Sequence, residues 1–140
     1  MPLVGCGPPS DAKLIDDFQR HRPQYNELLR MFQEDKGLDR TGDLAGTMPQ
    51  DTAAVGVDAA RLQRYRDLMD QLGVKSPERY FGSVLFITSS GGIVPSGYTE
   101  GYVYAKKPPS PLVSDTSEPH DEGEYYRHID GDWYLVYEWN

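Results

Sequence analysis

Hydrophobic residues in the first part of the chain recur every three or four positions, which is the period of one helix face. Between Ser10 and about Asp35 this pattern comprises Leu14, Ile15, Phe18, Tyr25, Leu28, Leu29 and Phe32. Ser10 suits the N-cap of such a helix. Pro23 interrupts the pattern, because a proline inside a helix costs about 3 kcal/mol. The segment is therefore predicted as one kinked helix, or as two short helices that meet near residues 21 and 22.

A second helix with a clearer apolar stripe is predicted from Asp58 to Leu72. Its stripe consists of Leu62, Tyr65, Leu68, Met69 and Leu72, and Asp58 can cap its first turn. The stretch from Gly37 to Val57 is rich in Gly, Thr, Asp and Pro and is predicted as a long loop. The stretch "SPER", residues 76–79, is predicted as a short turn with its proline at a first helical position.

From Tyr80 onward the hydrophobic period changes to two, which is typical of strands. Four such stretches occur: "SVLFITSS", "GYTEGYVYA", "YYRHI" and "WYLVYEW". The proline-rich "KKPPSPLV" is predicted as an extended connector, because prolines lack the ladder donors of a central strand. Asp130-Gly131-Asp132 is predicted to form a tight hairpin turn. In the last strand Trp133, Leu135, Tyr137 and Trp139 share one face, and Tyr134, Val136 and Glu138 share the other.

These elements predict an α+β fold with two N-terminal helical segments packed on one face of a roughly four-stranded antiparallel sheet. Residues 10–140 are predicted to form a single domain, and residues 1–9 a flexible N-terminal tether. A chain of 140 residues is long enough to bury its own core.

Composition and charge narrow the classes of function. With 38% hydrophobic and 26% charged residues the chain is typical of globular proteins. The net charge of −8 disfavours nucleic-acid binding and charge-driven docking on an anionic membrane. It suits a basic protein partner. No stretch approaches the roughly 20 apolar residues of a membrane span.

The stretch Leu3-Val4-Gly5-Cys6 contains the only cysteine of the chain and resembles the lipobox of bacterial lipoproteins. That resemblance implies lipid attachment at Cys6, with "GPPSD" as the tether. A signal peptide carries about 7–15 apolar residues before its cleavage site, and only "MPLVG" precedes Cys6. The resemblance therefore implies the cell envelope if a signal peptide is missing upstream, and otherwise the cytoplasm. The alternative is a flexible tail with an unused thiol.

The ending "GDWYLVYEW" is similar to the "GNWYLYYEW"-like ending of uncharacterised small bacterial proteins that have an N-terminal helix pair. This resemblance covers a short motif together with the order of the elements. It implies no activity that can be transferred to this chain.

Few residues are candidates for chemistry. His120, Asp121, Glu122 and Glu124 could ligate a cation, but one polar loop does not fix converging ligands, so neither a metal nor a cofactor is expected. His128 is the first choice for a general base, with Glu138 as its partner from the neighbouring strand. The alternative is that both side chains make ordinary cross-strand contacts.

The tyrosine cluster is the most suggestive feature of the sequence. Rings on the predicted strands are candidates for binding a protein or glycan, and the chosen residues are Tyr98, Tyr102, Tyr104, Tyr126 and Tyr134. The alternative is a set of cross-strand ladders that stiffen the sheet.

Three functions are therefore open. The leading one is a non-enzymatic binding domain of the bacterial cell envelope that uses an aromatic sheet face. The second is a cytoplasmic, acidic protein of the immunity or antitoxin type that covers a basic partner. The third is a small enzyme with His128 and Glu138 in a tyrosine-lined pocket. The sequence identifies neither the ligand nor the oligomeric state.

Overall fold

A computed structural model describes residues 10–36, 57–80, 82–93, 96–117 and 121–139 of the chain. This part contains three helices followed by five strands, namely α1 (Asp11–Arg20), α2 (Arg22–Glu34), α3 (Ala59–Leu72), β1 (Ser76–Tyr80), β2 (Ser83–Ile93), β3 (Ser96–Tyr104), β4 (Gly123–Asp130) and β5 (Trp133–Trp139). The predicted α+β class, with the helices before an antiparallel sheet, is confirmed. The predicted tether and most of the predicted loop at 37–57 lie outside the described residues.

The helix boundaries follow from capping groups and from one proline. The Ser10 side chain accepts a hydrogen bond from the backbone N–H of Lys13 at the start of α1. The first helical pattern forms two helices, and the chain breaks between them at His21. Pro23 therefore lies in the first turn of α2, where a backbone N–H has no helical partner to lose. The Asp58 side chain caps α3, and Gly73 ends it in the left-handed conformation at φ 68°.

The five strands form one antiparallel sheet in the order β1-β2-β3-β5-β4. The prediction of a turn for "SPER" was wrong, because residues 76–80 form the edge strand β1 and pair with β2. Pro77 is tolerated there, since an edge strand has N–H positions that need no partner. At the other edge, the N–H of Val113 donates to the carbonyl of Tyr126.

The two faces of the sheet carry separate apolar clusters. The face toward the helices, the helix face, holds the larger core, which includes Phe18, Tyr25, Phe86, Tyr102, Trp133, Leu135 and Tyr137. The opposite face, the outer face, holds a smaller cluster of Val103, Ala105, Tyr126, Tyr134 and Val136. This division follows the alternation predicted for the last strand. None of the described helices has both the length and the apolar character needed to cross a membrane.

Candidate functional site: the acidic groove on the outer face

The outer face carries a depression of about 330 Å³ that we call the acidic groove. Its apolar floor is formed by Leu85, Ile87, Val103, Tyr126 and Val136, and its rim by Glu78, Thr99, Glu124 and Glu138, while Glu100 also borders it. A depression with an apolar floor and a few convergent polar groups is the usual form of a binding site.

Cross-strand pairing places the rim carboxylates at two ends of this floor. Glu78 on β1 lies opposite Leu85, at one edge of the sheet. Glu138 on β5 lies opposite Glu124 on β4 and, on its other side, opposite Thr99 on β3. Three strand spacings separate β1 from β5, about 14 Å across the sheet, and the row of Glu78 crosses β3 at Val103 whereas that of Glu138 crosses it at Thr99, about 13 Å further along the strand. The groove therefore has an acidic group at one end and a carboxylate pair at the other.

Gly101 leaves the middle of the floor without a side chain. It pairs with Ile87 on one side and with Val136 on the other. A Cβ atom at this position would lie 2.2 Å from the carbonyl oxygen of Phe86. Glycine is therefore required by the close approach of the β2 backbone.

Glu124 and Glu138 form a pair of acidic side chains, and one tyrosine hydrogen-bonds to the first of them. The Tyr126 hydroxyl donates to Oε2 of Glu124 over 2.6 Å. Partial burial raises the pKa of Glu138, and so do the charge of Glu124 and the hydrogen bond between the two side chains. Within the described part of the chain, none of the three rim glutamates forms an ion pair. The groove therefore presents negative charge that the described residues do not neutralise.

The five tyrosines chosen from the sequence lie on both faces of the sheet and do not form one surface. Tyr102 is buried in the helix face, and its hydroxyl donates to the carbonyl of Leu14 over 2.6 Å. Tyr98 and Tyr104 also pack against the core of the helix face. Tyr126 and Tyr134 belong to the outer face, and of these Tyr126 lines the groove. A role of these rings in binding stays a prediction.

The structure does not bring His128 and Glu138 together. His128 lies opposite Tyr134, and the two ring centroids are 5.1 Å apart. The imidazole Nε2 lies 2.8 Å from the carbonyl oxygen of Gly131. Tyr134 and Glu138 are four residues apart on one strand, which corresponds to about 13 Å. The group opposite Glu138 on β4 is Glu124, so the geometry favours cation binding here over acid–base chemistry by a histidine.

The lipid-attachment candidate and one of the metal-ligand candidates from the sequence are not among the described residues. Cys6 and His120 are outside the described residues. The described residues contain no group of three or more His, Cys, Asp or Glu side chains that could hold a metal ion.

Sequence reasoning identified the alternation that places Val136 and Glu138 on one face, but it missed the rest of the groove. Glu78 was assigned to a turn, and Glu124 to a solvated loop. Their relation to Glu138 depends on strand order and register, for which the sequence carries no direct signal. No family model, no curated protein and no solved structure matches this chain.

Proposed function

We propose that this chain is a non-enzymatic binding domain that holds a basic segment of a protein partner in the acidic groove. The observation that carries the proposal is the carboxylate pair Glu124–Glu138, which faces solvent without a cation among the described residues. Two facing carboxylates repel each other when both are ionised, and an incoming ammonium or guanidinium group relieves that repulsion. Charge complementarity thus specifies the chemistry of the partner.

The apolar floor supports a lysine or arginine side chain as the bound group. Such side chains lay their aliphatic stems along apolar surface and keep their charged ends at a polar rim. The floor between Glu78 and the Glu124–Glu138 pair spans about 14 Å across the strands and about 13 Å along them, which is long enough for two basic residues of an extended segment. An anionic or purely apolar partner would leave the rim carboxylates desolvated and unpaired.

The proposal is tested with a capped peptide of alternating lysine and valine as the probe. Its affinity is measured by calorimetry for the unmodified protein and for the double variant Glu124→Gln, Glu138→Gln. Glutamine keeps the size of each side chain and removes its charge. We expect the double variant to bind at least about tenfold more weakly, which corresponds to about 1.4 kcal/mol.

The matched control is Asp67→Asn, Asp70→Asn on the exposed side of α3, because it changes the net charge by the same two units. We expect the affinity of this control to stay within about twofold of that of the unmodified protein. Equal losses in both double variants would mean that the peptide responds only to overall charge. That result, or no binding by the unmodified protein, would refute the groove as the site.

We also propose that the domain acts at the bacterial cell envelope through a lipid on Cys6. The support is the resemblance of Leu3-Val4-Gly5-Cys6 to a lipobox and the short polar segment that follows it. Mass spectrometry of the protein purified from its native cells tests this. A diacylglycerol-modified Cys6 is expected, and an unmodified thiol in a cytoplasmic product would leave the acidic cytoplasmic binding protein as the alternative.

A further inference from the structure

A second cavity lies on the opposite side of the sheet, between the helix layer and strands β2 and β3. Its volume is about 420 Å³, within the range of small-ligand pockets. The apolar part of its wall comes from Leu14, Tyr25, Leu72 and Tyr102. The polar part comes from Lys13, Asp17, His21, Thr88, Ser89 and Glu100. Of these residues only Glu100 also borders the acidic groove, and the basic-segment site proposed above does not use its carboxyl group.

Glu100 is the unusual member of this wall. It is only 3% exposed, yet its Oε2 has no hydrogen-bond partner among the residues that the structure describes. The hydroxyl of Tyr137 hydrogen-bonds with the same carboxyl group. A buried carboxyl oxygen without a donor is unfavourable, so the position calls for a donor from outside the described chain.

The charges around Glu100 specify the kind of donor. Burial is the main cause of the raised pKa of Glu100, and the negative charges of Asp11 and Asp17 raise this pKa further. Lys13, a basic group of the wall, already pairs with Asp17 at 3.5 Å. The Nδ1 atom of His21 is engaged with the carbonyl oxygen of Asp17 at 2.9 Å. The described wall therefore offers two carboxyl groups and supplies no cation to Glu100.

We infer that this cavity binds a small organic amine, whose ammonium group donates to Oε2 of Glu100 and interacts with Asp17. The apolar side chains of the wall would surround the carbon skeleton of the amine. The inference does not depend on the basic-segment site, because that site rests on the Glu124–Glu138 pair, whereas this cavity shares only Glu100 with the lining of the acidic groove.

Chemical-shift titration by NMR tests the inference with n-butylamine as the probe and 1-butanol as its neutral counterpart. We expect saturable binding of butylamine, and binding of butanol that is at least about tenfold weaker. Glu100→Gln keeps the shape of the side chain and should weaken butylamine binding by about tenfold or more. Asp17→Asn, at a half-exposed position, should weaken it by a smaller factor.

Glu138→Gln is the matched control, since it makes the same substitution on the outer face. It should leave butylamine affinity unchanged while it weakens binding of the basic peptide. Equal affinity for butanol and butylamine, full retention of binding in Glu100→Gln, or no saturable binding to the unmodified protein would each overturn the inference.

Discussion

Asp11 joins the first helix to the segment that precedes β4. It is 3% exposed, and its carboxylate accepts hydrogen bonds from the Thr116 N–H at 2.8 Å and the Thr116 hydroxyl at 2.6 Å. The N–H of Ser117 donates over 3.1 Å, and the guanidinium of Arg127 lies at 3.4 Å. One buried side chain thus anchors a segment more than a hundred residues further along the chain.

Replacing Asp11 by alanine is expected to destabilise the fold by about 3 kcal/mol, because it leaves buried donors without an acceptor. The matched control is Asp16→Ala, since Asp16 forms an exposed pair with Arg20 within the same helix, and its loss should cost at most about 0.5 kcal/mol. Urea unfolding of both variants measures the difference. Similar losses in the two variants would contradict the anchoring role of Asp11.

The stability of Glu138→Gln should depend on pH in a defined direction. Folding raises the pKa of Glu138 above its ordinary value of 4.5, so the folded state holds this proton more tightly than the unfolded state. The contribution of Glu138 to the free energy of unfolding is therefore fully present below its ordinary pKa, and it is lost as the pH rises through the raised pKa. We therefore expect Glu138→Gln to gain stability relative to the unmodified protein at neutral pH, and the gain to vanish in acid.

Chemical unfolding at a series of pH values checks this expectation. Glu34→Gln, at an exposed helix position, is the comparison and should show no such gain. A constant difference between Glu138→Gln and the unmodified protein at all pH values would mean that the carboxylate pair does not perturb the titration.

At the scale of elements, one bulge decides which residues meet in the groove. The turn between β4 and β5 places Asp130 opposite Trp133. If the antiparallel register continued from this pair without a shift, Tyr125 would lie opposite Glu138. A register shift between His128 and Asp130 moves the pairing by one residue and puts Glu124 there. A shift of one residue exchanges the two faces of a strand. The sequence therefore could predict the hairpin but not the carboxylate pair.

The second irregularity of the sheet is the register shift between Ile87 and Ser89 on β2. Gly101 lies beside this shift, because it pairs with Ile87. Gly101→Ala should destabilise the protein by about 1–3 kcal/mol, because its Cβ would meet backbone atoms of β2 that must then move. The control is Ser83→Ala at the start of β2, which should change the free energy of unfolding by less than about 0.5 kcal/mol. Thermal unfolding of both variants provides the measurement, and a Gly101→Ala protein as stable as the parent would contradict the close approach.

Elements with a strong period were predictable, and the edge strand was not. Helix α3 and strand β5 have regular apolar patterns and clear boundary residues, so local rules define them. Strand β1 has the sequence "SPERY", whose serine and proline favour a helix start or a turn. Its strand conformation comes from pairing with β2, which is a tertiary interaction that local sequence does not encode.

At the scale of the whole molecule, opposite charges are paired on the helix side and unpaired on the outer face. Every ion pair among the described residues includes a residue of α1, α2 or α3. An example is Arg64 of α3, whose guanidinium lies 2.6 Å from Oε1 of Glu27 on α2. The rim of the acidic groove has no such pairs, although the chain as a whole carries a net charge of −8. This separation of charge favours approach of a basic partner to one face.

The affinity for the lysine–valine peptide should fall steeply with salt. Raising the ionic strength from about 0.05 M to about 0.5 M shortens the screening length severalfold, so we expect a loss of about tenfold or more. Calorimetry at both salt concentrations measures this. An affinity that does not change with salt would indicate that the apolar floor alone binds the peptide.

The most direct test of the account is to map where the lysine–valine peptide binds, by following backbone amide NMR signals during titration. We predict that the largest saturable shifts fall on the outer-face residues Leu85, Val103, Val136 and Glu138, and that helices α1–α3 are nearly unaffected. Shifts that concentrate on the helices, or that spread evenly over all acidic residues, would contradict the acidic groove as the binding site.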